Sequence, residues 1–324
     1  MTIASAPAKI ILFGEHFVIY NQPAILASIN KRIKIDSRIV LEKKNTIRIE
    51  TNDFGKKTYP LSILKNKNQD NYNDFFYPII YILKKILQDF ERTNGIEIKI
   101  ESEIPYGVGL GSSAALSVAA VAAIYGLINR YSKKNEILEL AIETEKIIHR
   151  NSSGADCVIS TYGGLMYYQK NSNVRQLGYS KKLNFIIINT GLKHSTGELV
   201  SIVERFRQNN FATFIKLSNK VTNICNNAIE ALKEGNTLKL GKLMNENQIL
   251  LEQIGVSNKE INKIIETSLN YGAIGSKLTG AGGGGCILSI IHQENKNYFL
   301  SNMKQSGYEC FDIIIENQGV KVKI

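Results

Sequence analysis

The segment that most constrains how this chain can fold is PYGVGLGSSAA, from Pro105 to Ala115. It follows a run from Ile96 to Ile104 in which isoleucines alternate with charged residues, the pattern of a half-buried strand. It leads into the apolar residues from Leu116 to Ile128, which favour a helix. The three glycines between them let the backbone adopt positive φ and approach a ligand closely. The segment therefore predicts a strand, a glycine-rich turn and a helix.

The start of that helix predicts a binding site for an anion. Ser112 and Ser113 fall where the first N–H groups of the helix lack partners and where the helix dipole adds positive potential. A phosphate is the anion that such a turn commonly holds. The spacing matches neither common nucleotide signature, because no lysine precedes Ser113 and the glycines run G-x-G-x-G rather than G-x-G-x-x-G. The alternative interpretation, a purely structural turn between strand and helix, therefore remains open at this point.

Size and composition bound the class of protein. The chain has 324 residues, enough for two domains, and its 44% hydrophobic and 21% charged residues are typical of a soluble globular protein. A net charge of +11 would suit an anionic ligand, whether nucleic acid or a small molecule. The lysines are scattered, however, and no basic block carries interleaved aromatic residues. We therefore expect no nucleic acid partner.

The cysteines and the apolar runs argue against two further classes. Cys157, Cys225, Cys286 and Cys310 lack C-x-x-C spacing, so we expect reduced thiols rather than a zinc site or disulfides. The longest apolar stretch is too short to span a bilayer, and no signal-peptide pattern opens the chain. These features predict a cytoplasmic protein with no membrane partner.

Polar residues cluster at the end of the first predicted strand. The run from Ile3 to Phe13 predicts a buried strand that ends at Gly14. Lys9 either extends to water from the strand edge or lies beside a phosphate or a reacting hydroxyl. Glu15 and His16 follow the glycine, where an α/β protein tends to present polar ligands.

A predicted helix from Ser132 to about Arg150 carries an acidic residue on its buried face. Glu145 falls on the inward stripe of apolar residues. A buried carboxylate needs a partner, so Glu145 either binds a cation or forms an ion pair with a buried lysine or arginine. Asp156 follows a turn of small residues and precedes a strand-like run, Cys157 to Thr161. It is a candidate base beside Glu145.

A polar stretch divides the chain. Gln169 to Lys182 predicts a linker, and we expect domains at 1–180 and 181–324. A buried strand from Phe185 to Ile188, four helices and further strands predict an α+β unit in the second domain. Five glycines between residues 280 and 285 would be costly to order unless the backbone passes close to a ligand.

Taken together, these segments resemble the ordered motifs of the GHMP small-molecule kinases. The motifs occur in the family's order and cover nearly the whole chain. The resemblance implies an α+β GHMP kinase fold with two domains, one like ribosomal protein S5 and one ferredoxin-like, and an active site between them. The residues that carry it are Lys9 with Gly14-Glu15-His16, the Pro105 to Ala115 loop, Glu145 with Asp156, and the run from Lys277 to Cys286.

Within the family, the end of the first strand most resembles the branch that phosphorylates mevalonate. Gly-Glu-His is followed by apolar residues and Gln22-Pro23-Ala24, whereas galactokinases carry Gly-Glu-His-Thr-Asp. The segment from His149 to Asp156 is also close to that branch, except at Arg150 and Ser152. The resemblance implies ATP-dependent phosphorylation of the C5 hydroxyl of mevalonate in isoprenoid biosynthesis. Another kinase of the family, acting on phosphomevalonate or on the 3-hydroxyl of mevalonate, is the alternative.

The resemblance also implies which residues carry out the transfer. Asp156 would take the proton of the hydroxyl, with Lys9 beside it and near the γ-phosphate of ATP. Ser113 and Glu145 would hold Mg²⁺. The loop around the ATP phosphates would consist of Pro105, Tyr106, Gly107, Val108, Gly109, Leu110, Gly111, Ser112, Ser113, Ala114 and Ala115.

Three further residues would contact mevalonate: Glu15, His16 and Thr196. We expect the ring N–H of His16 to donate to the substrate, and the ring to become cationic readily because its ordinary pKa is about 6.5. The run from Lys277 to Gly285 would support the phosphates from the second domain. A catalytically inactive sensor is the alternative of a different class, and the retained acidic residues and Lys9 argue against it. The oligomeric state stays open, with a homodimer as one candidate.

Overall fold

The computed structural model describes residues 1–66, 74–88, 94–105, 108–129, 133–148, 153–170, 172, 174–179, 183–193 and 195–323. These residues form an α+β fold with one mixed sheet and one antiparallel sheet, and helices pack on both. Several residues that the sequence singled out lie outside the described residues: Tyr106, Gly107, Ser132, His149, Arg150, Ser152 and Lys182.

The first half of the chain begins with strands and continues with a mixture of helices and strands. Its elements are β1 (Thr2–Phe13), β2 (Ala24–Val40), β3 (Thr46–Thr51), β4 (Gly55–Pro60), α1 (Tyr77–Leu87), β5 (Gly95–Ser102), α2 (Ser112–Leu127), α3 (Lys134–Ile148), α4 (Ala155–Tyr162) and β6 (Leu165–Tyr168). A short 3₁₀ turn, Phe17–Tyr20, lies between β1 and β2.

The second half is richer in helices. Its elements are β7 (Arg175–Gln176), β8 (Phe185–Asn189), α5 (Thr196–Asn209), α6 (Phe211–Glu234), α7 (Thr237–Gln253), α8 (Lys259–Asn270), β9 (Ala273–Thr279), β10 (Cys286–Ile291), α9 (Lys296–Gln305), β11 (Glu309–Ile313) and β12 (Lys321–Lys323). The four helices predicted after the buried strand are confirmed. Among the described residues, no helix combines the length and hydrophobicity needed to cross a membrane.

One local expectation was wrong, and one segment has more regular structure than expected. Cys157 to Thr161 belongs to helix α4 rather than to a strand, because a short apolar run does not distinguish a buried helix from a buried strand. The expected linker contains β7, which pairs with β6 through Met166 and Gln176. Strand β9 was not predicted, since its residues merge into the glycine run that follows.

The first sheet packs against one helix that is buried almost throughout. Its strand order is β12-β1-β2-β5-β3-β4, and β6 joins the other half of the long strand β2. Helix α2 is rich in alanine and valine, is buried almost throughout and packs on β1 and β2 and against α1, α3 and α4. Such an all-apolar helix is stable only inside a core. Its first turn, at Ser112 and Ser113, is therefore fixed at the edge of the sheet.

The second sheet has the order β11-β8-β10-β9, and helix α7 covers its β9 edge. The N–H of Ser276 donates to Asn245 Oδ1 at 2.9 Å, and the N–H of Leu278 donates to Gln248 Oε1 at 3.0 Å. These amide side chains satisfy edge-strand donors that would otherwise lack partners. The helix and the strand thus form one rigid unit.

The two sheets are joined at the end of β1. The hydroxyl of Thr279, at the end of β9, accepts from the N–H of Ile11 and donates to its carbonyl, both at 3.0 Å. The last strand, β12, returns to pair with β1 around Ala4. The chain therefore crosses between the sheets more than once, and the boundary near residue 180 stays a prediction.

Gly241 tests the close packing of α7 on β9. A Cβ at Gly241 would lie 2.6–2.7 Å from atoms of Ile274, whereas a Cβ at Gly197 in α5 would meet no atom within 4 Å. We expect Gly241→Ala to lower the free energy of unfolding by about 1–3 kcal/mol through overpacking, despite a helix-propensity gain of up to about 1 kcal/mol. Urea unfolding followed by circular dichroism measures the change. Equal stability of Gly241→Ala and the control Gly197→Ala would contradict the packing.

Candidate active site

Lys9 and Asp156 form a partly buried ion pair at the edge of the first sheet. Lys9 is 4% exposed, and its Nζ lies 3.2 Å from Asp156 Oδ2, whose side chain is 35% exposed. Asp156 lies in the first turn of α4, which follows Gly154 at a φ of 79°. Lys9 therefore does not extend to water, and it holds the carboxylate of Asp156 at an accessible position.

The glycine-rich loop packs directly on Lys9. The N–H of Lys9 donates to the carbonyl of Leu110 at 2.9 Å. A Cβ at Gly111 would lie 2.7 Å from Lys9 Cγ, and both Gly109 and Gly111 have φ values above 70°. Glycine is thus required here for close approach as well as for backbone conformation.

The N-terminus of α2 is arranged to receive an anion. Gly111 is its N-cap residue and has no side chain to accept from the first N–H groups. Such groups are able to bind a phosphate, and the anion site expected from the sequence stays a prediction. The carbonyl of Gly109 also faces the second glycine run, since a Cβ at Gly280 would lie 3.2 Å from it. The two glycine segments therefore lie against each other across the junction of the sheets.

Glu145 lies beneath this loop. It is 3% exposed, and it accepts from Ser113 Oγ at 3.2 Å and from Ser117 Oγ at 3.4 Å. Burial, with a contribution from Asp156, raises the pKa of Glu145 to about 7. Within the described part of the chain, no lysine or arginine forms an ion pair with Glu145. The sequence did not single out Ser117, although it lies one helical turn after Ser113.

Glu15 has a different environment from the one expected. Glu15 and Lys277 are fully buried and form an ion pair, and Asn247 Nδ2 donates to the second oxygen of Glu15 at 3.5 Å. Burial raises the pKa of Glu15 and lowers that of Lys277, while their mutual attraction acts in the opposite sense. These contacts argue against direct binding of mevalonate by Glu15 or of phosphate by Lys277.

His16 bonds to the second glycine run. Its Nε2 lies 2.7 Å from the carbonyl oxygen of Ala281, so Nε2 carries the proton and donates. Nδ1 is buried and has no hydrogen-bond partner among the described residues. Burial lowers the pKa of His16 to about 4. The expectation that the ring readily becomes cationic is therefore wrong, and the atom left for a ligand is an acceptor rather than a donor.

Thr196 is the first residue of α5 and is exposed. Ser195 caps this helix by accepting from the N–H of Glu198 at 3.4 Å. The helix lies against the second glycine run, because a Cβ at Gly283 would lie 3.0 Å from Leu199 side-chain atoms. No contact among the described residues ties Thr196 to Asp156.

Family models match both halves of the chain. The model described as the GHMP kinases N terminal domain matches residues 77–164, and the model described as GHMP kinases C terminal matches residues 228–309. The chain belongs to the GHMP kinases. This GHMP kinase has the two-domain mixed α/β fold of the family, as the sequence predicted.

Similar proteins extend over the full length. The mevalonate kinase of Pyrococcus furiosus is 34% identical over 332 positions, covering 99% of this chain and 98% of the relative. That of Methanothermobacter thermautotrophicus is 35% identical over 305 positions, covering 91% and 94%. The Methanococcus jannaschii mevalonate kinase structure is 28% identical with a TM-score of 0.85, covering 97% and 98%. The L. major mevalonate kinase in complex with R-mevalonate is 25% identical with a TM-score of 0.80, covering 97% and 96%.

The buried His16 makes the stability of the kinase depend on pH. Its pKa is about 4 in the folded chain and about 6.5 when unfolded, so the unfolded chain binds the proton more readily. The contribution of neutral His16 to the free energy of unfolding is complete above pH 6.5. It is lost as the pH falls towards 4, by on the order of 3 kcal/mol.

We expect His16→Asn, which tolerates positive φ, to flatten the loss of stability between pH 6.5 and pH 4 relative to the unsubstituted protein. Chemical unfolding at a series of pH values measures the difference between the two proteins. Parallel pH profiles would show that the His16 ring is not held neutral by burial.

Proposed function

We propose that this GHMP kinase transfers the γ-phosphoryl group of ATP to the C5 hydroxyl of mevalonate, giving 5-phosphomevalonate for isoprenoid biosynthesis. The observation that carries the proposal is the Lys9–Asp156 pair beside the glycine-rich loop, in a chain similar over its full length to archaeal mevalonate kinases. The reaction consumes ATP, and the four cysteines are unpaired. Both features suit a cytoplasmic enzyme.

Asp156 and Lys9 would act on the hydroxyl. Phosphoryl transfer needs a positioned nucleophile and stabilisation of charge on the phosphate oxygens. Asp156 has the exposure to reach a substrate hydroxyl and would accept its proton. Lys9, anchored on β1, holds Asp156 through one ion pair and would place its positive charge beside the transferred group. The residues from Pro105 to Ala115 would receive the ATP phosphates at the α2 N-terminus.

Ser113 and Glu145 fit a Mg²⁺ ion. Both present hard oxygen atoms, and Glu145 is a buried carboxylate whose partners in the described residues are two serine hydroxyls. Among the described residues, no group of three or more His, Cys, Asp or Glu side chains is placed to hold a metal ion by itself. Mg²⁺ is commonly held by one or two carboxylates together with substrate phosphates and water. Bound there, the cation supplies neutralising charge to the nucleotide phosphates.

His16 would bind mevalonate through an acceptor. Its unpaired Nδ1 suits a hydroxyl group of the substrate, which would donate to it. Thr196, exposed at the start of α5, would contribute a hydroxyl from the second half of the chain. The substrate would thus lie between β1 and the second glycine run.

A substrate panel tests this function. ADP release is measured with mevalonate, phosphomevalonate, homoserine and galactose at matched concentrations. We expect the highest kcat/KM with mevalonate. Faster turnover of phosphomevalonate would replace the proposal with its closest alternative in the family.

Asp156→Asn tests the proposed base. The amide keeps the shape of the side chain but cannot accept the proton, so we expect kcat to fall by about 10²–10⁴-fold. ATP affinity, measured by calorimetry, should be retained. Asp312→Asn, which removes one partner of an exposed ion pair with Lys296, is the control and should keep full activity. A kcat within about threefold of the parent would show that Asp156 is not the base.

Glu145→Gln tests the proposed metal ligand. Loss of an anionic oxygen ligand should raise the Mg²⁺ concentration for half-maximal activity by about tenfold, or about 1.4 kcal/mol. Glu143→Gln on the same helix removes an exposed partner of Lys85 and is the matched control. If the Mg²⁺ dependence of both variants equals that of the parent, Glu145 has only a structural role.

A further inference from the structure

Six residues of the turn that follows β1 contact the second half of the chain. We call residues 14–23 the β1 turn. Its aromatic residues Phe17 and Tyr20 pack on Phe214 of α6. Its polar contacts are Glu15 with Lys277, His16 with Ala281, Tyr20 with Glu204, Gln22 with Thr222 and the Pro23 carbonyl with Cys225. The conformation of the turn therefore depends on the second half.

The Glu15–Lys277 pair lies at the centre of these contacts. Lys277 belongs to β9, and its Nζ also donates to the carbonyl of Leu278 at 2.6 Å. Helix α7 fixes the same strand and supplies Asn247 to Glu15. A fully buried ion pair contributes little net stability compared with apolar residues of similar size. A role other than stabilisation is thus needed to account for it.

The backbone conformation of His16 indicates what the Glu15–Lys277 pair holds in place. It has a φ of 60° and a ψ of −47°, an unusual conformation for a residue other than glycine. Such a conformation persists only where its surroundings enforce it. Glu15 and His16 are adjacent in the chain, and their partners Lys277 and Ala281 lie on β9 and just beyond it. Two neighbouring cross-links therefore determine both the backbone and the ring orientation of His16.

We propose that Glu15 and Lys277 are positioning residues, which hold His16 with its ring N–H on Ala281 so that the unpaired Nδ1 accepts a hydrogen bond from the substrate alcohol. The inference rests on the proposed function for the nature of that alcohol. Glu15 and Lys277 would thus affect the affinity for the substrate through His16, and neither residue would contact the substrate.

The kinetic test is a double-mutant cycle. We expect Lys277→Met to raise KM for mevalonate by about tenfold, the loss of roughly one hydrogen bond, and to change KM for ATP by less than about twofold. In the His16→Ala background the same substitution should change KM for mevalonate by less than about twofold, because the residue it acts through is gone. An undiminished effect in that background, or equal rises in both KM values, would overturn the proposal.

Two further variants control for the loss of a single buried charge and for the position of the ion pair in the fold. Glu15→Gln combined with Lys277→Met removes both buried charges and avoids the cost of leaving one unpaired. This double variant should fold and should still show the raised KM for mevalonate. The exposed pair Lys34–Glu101, 3.0 Å apart on β2 and β5, is the matched control, and Lys34→Met with Glu101→Gln should leave both KM values unchanged. A double variant of the buried pair with parental KM would overturn the proposal.

A readout independent of activity separates this inference from the proposed function. The chain has four histidines, so ring signals of His16 are assignable by ¹H–¹⁵N NMR with His16→Ala as the reference. We expect the Nε2–H tautomer and a pKa of about 4 in the parent. In Glu15→Gln with Lys277→Met, the ring should leave its buried position and gain access to water, so its pKa should move towards 6.5. An unchanged His16 signal would overturn the positioning role, whichever alcohol the parent phosphorylates.

Discussion

One hydroxyl group joins the two sheets at the end of β1. Thr279 at the end of β9 bonds to both backbone groups of Ile11, which fixes the end of β1 against the second half of the chain. Lys9 lies just before this point and faces Asp156, and Glu15 and His16 lie just after it and face β9. The proposed transfer site and the proposed contact with the alcohol therefore depend on the same strand end.

Burial divides the charged groups around that strand end into two kinds. The Lys9–Asp156 pair is open on its acidic side, where the half-buried carboxylate is accessible to solvent. In the Glu15–Lys277 pair, by contrast, both side chains are fully buried. Removing one partner of such a pair typically costs about 3–5 kcal/mol, whereas replacing both with apolar residues is often neutral. The buried pair is thus better explained by the geometry it imposes on the β1 turn than by net stability.

The sequence was informative wherever chemistry and local pattern coincide. Alternating isoleucines, glycines and an apolar run predicted β5, the loop and α2, and the inward stripe of α3 predicted a buried Glu145. Contacts between residues far apart in the chain could not be predicted from the sequence. Lys277 lies 262 residues after its partner Glu15, and no local pattern encodes that pairing. The low pKa of His16 likewise depends on burial by the folded chain. The helix at Asp156 was missed because its apolar run is short.

The central claim is that this GHMP kinase directs phosphate to the primary hydroxyl of mevalonate, beside Asp156. Proton-coupled ³¹P NMR of the product tests it most directly, because C5 carries two hydrogens and C3 carries none. The account predicts one phosphomonoester signal split into a triplet by the C5 protons. A signal without proton coupling would place the phosphate on the tertiary C3 oxygen and contradict the account.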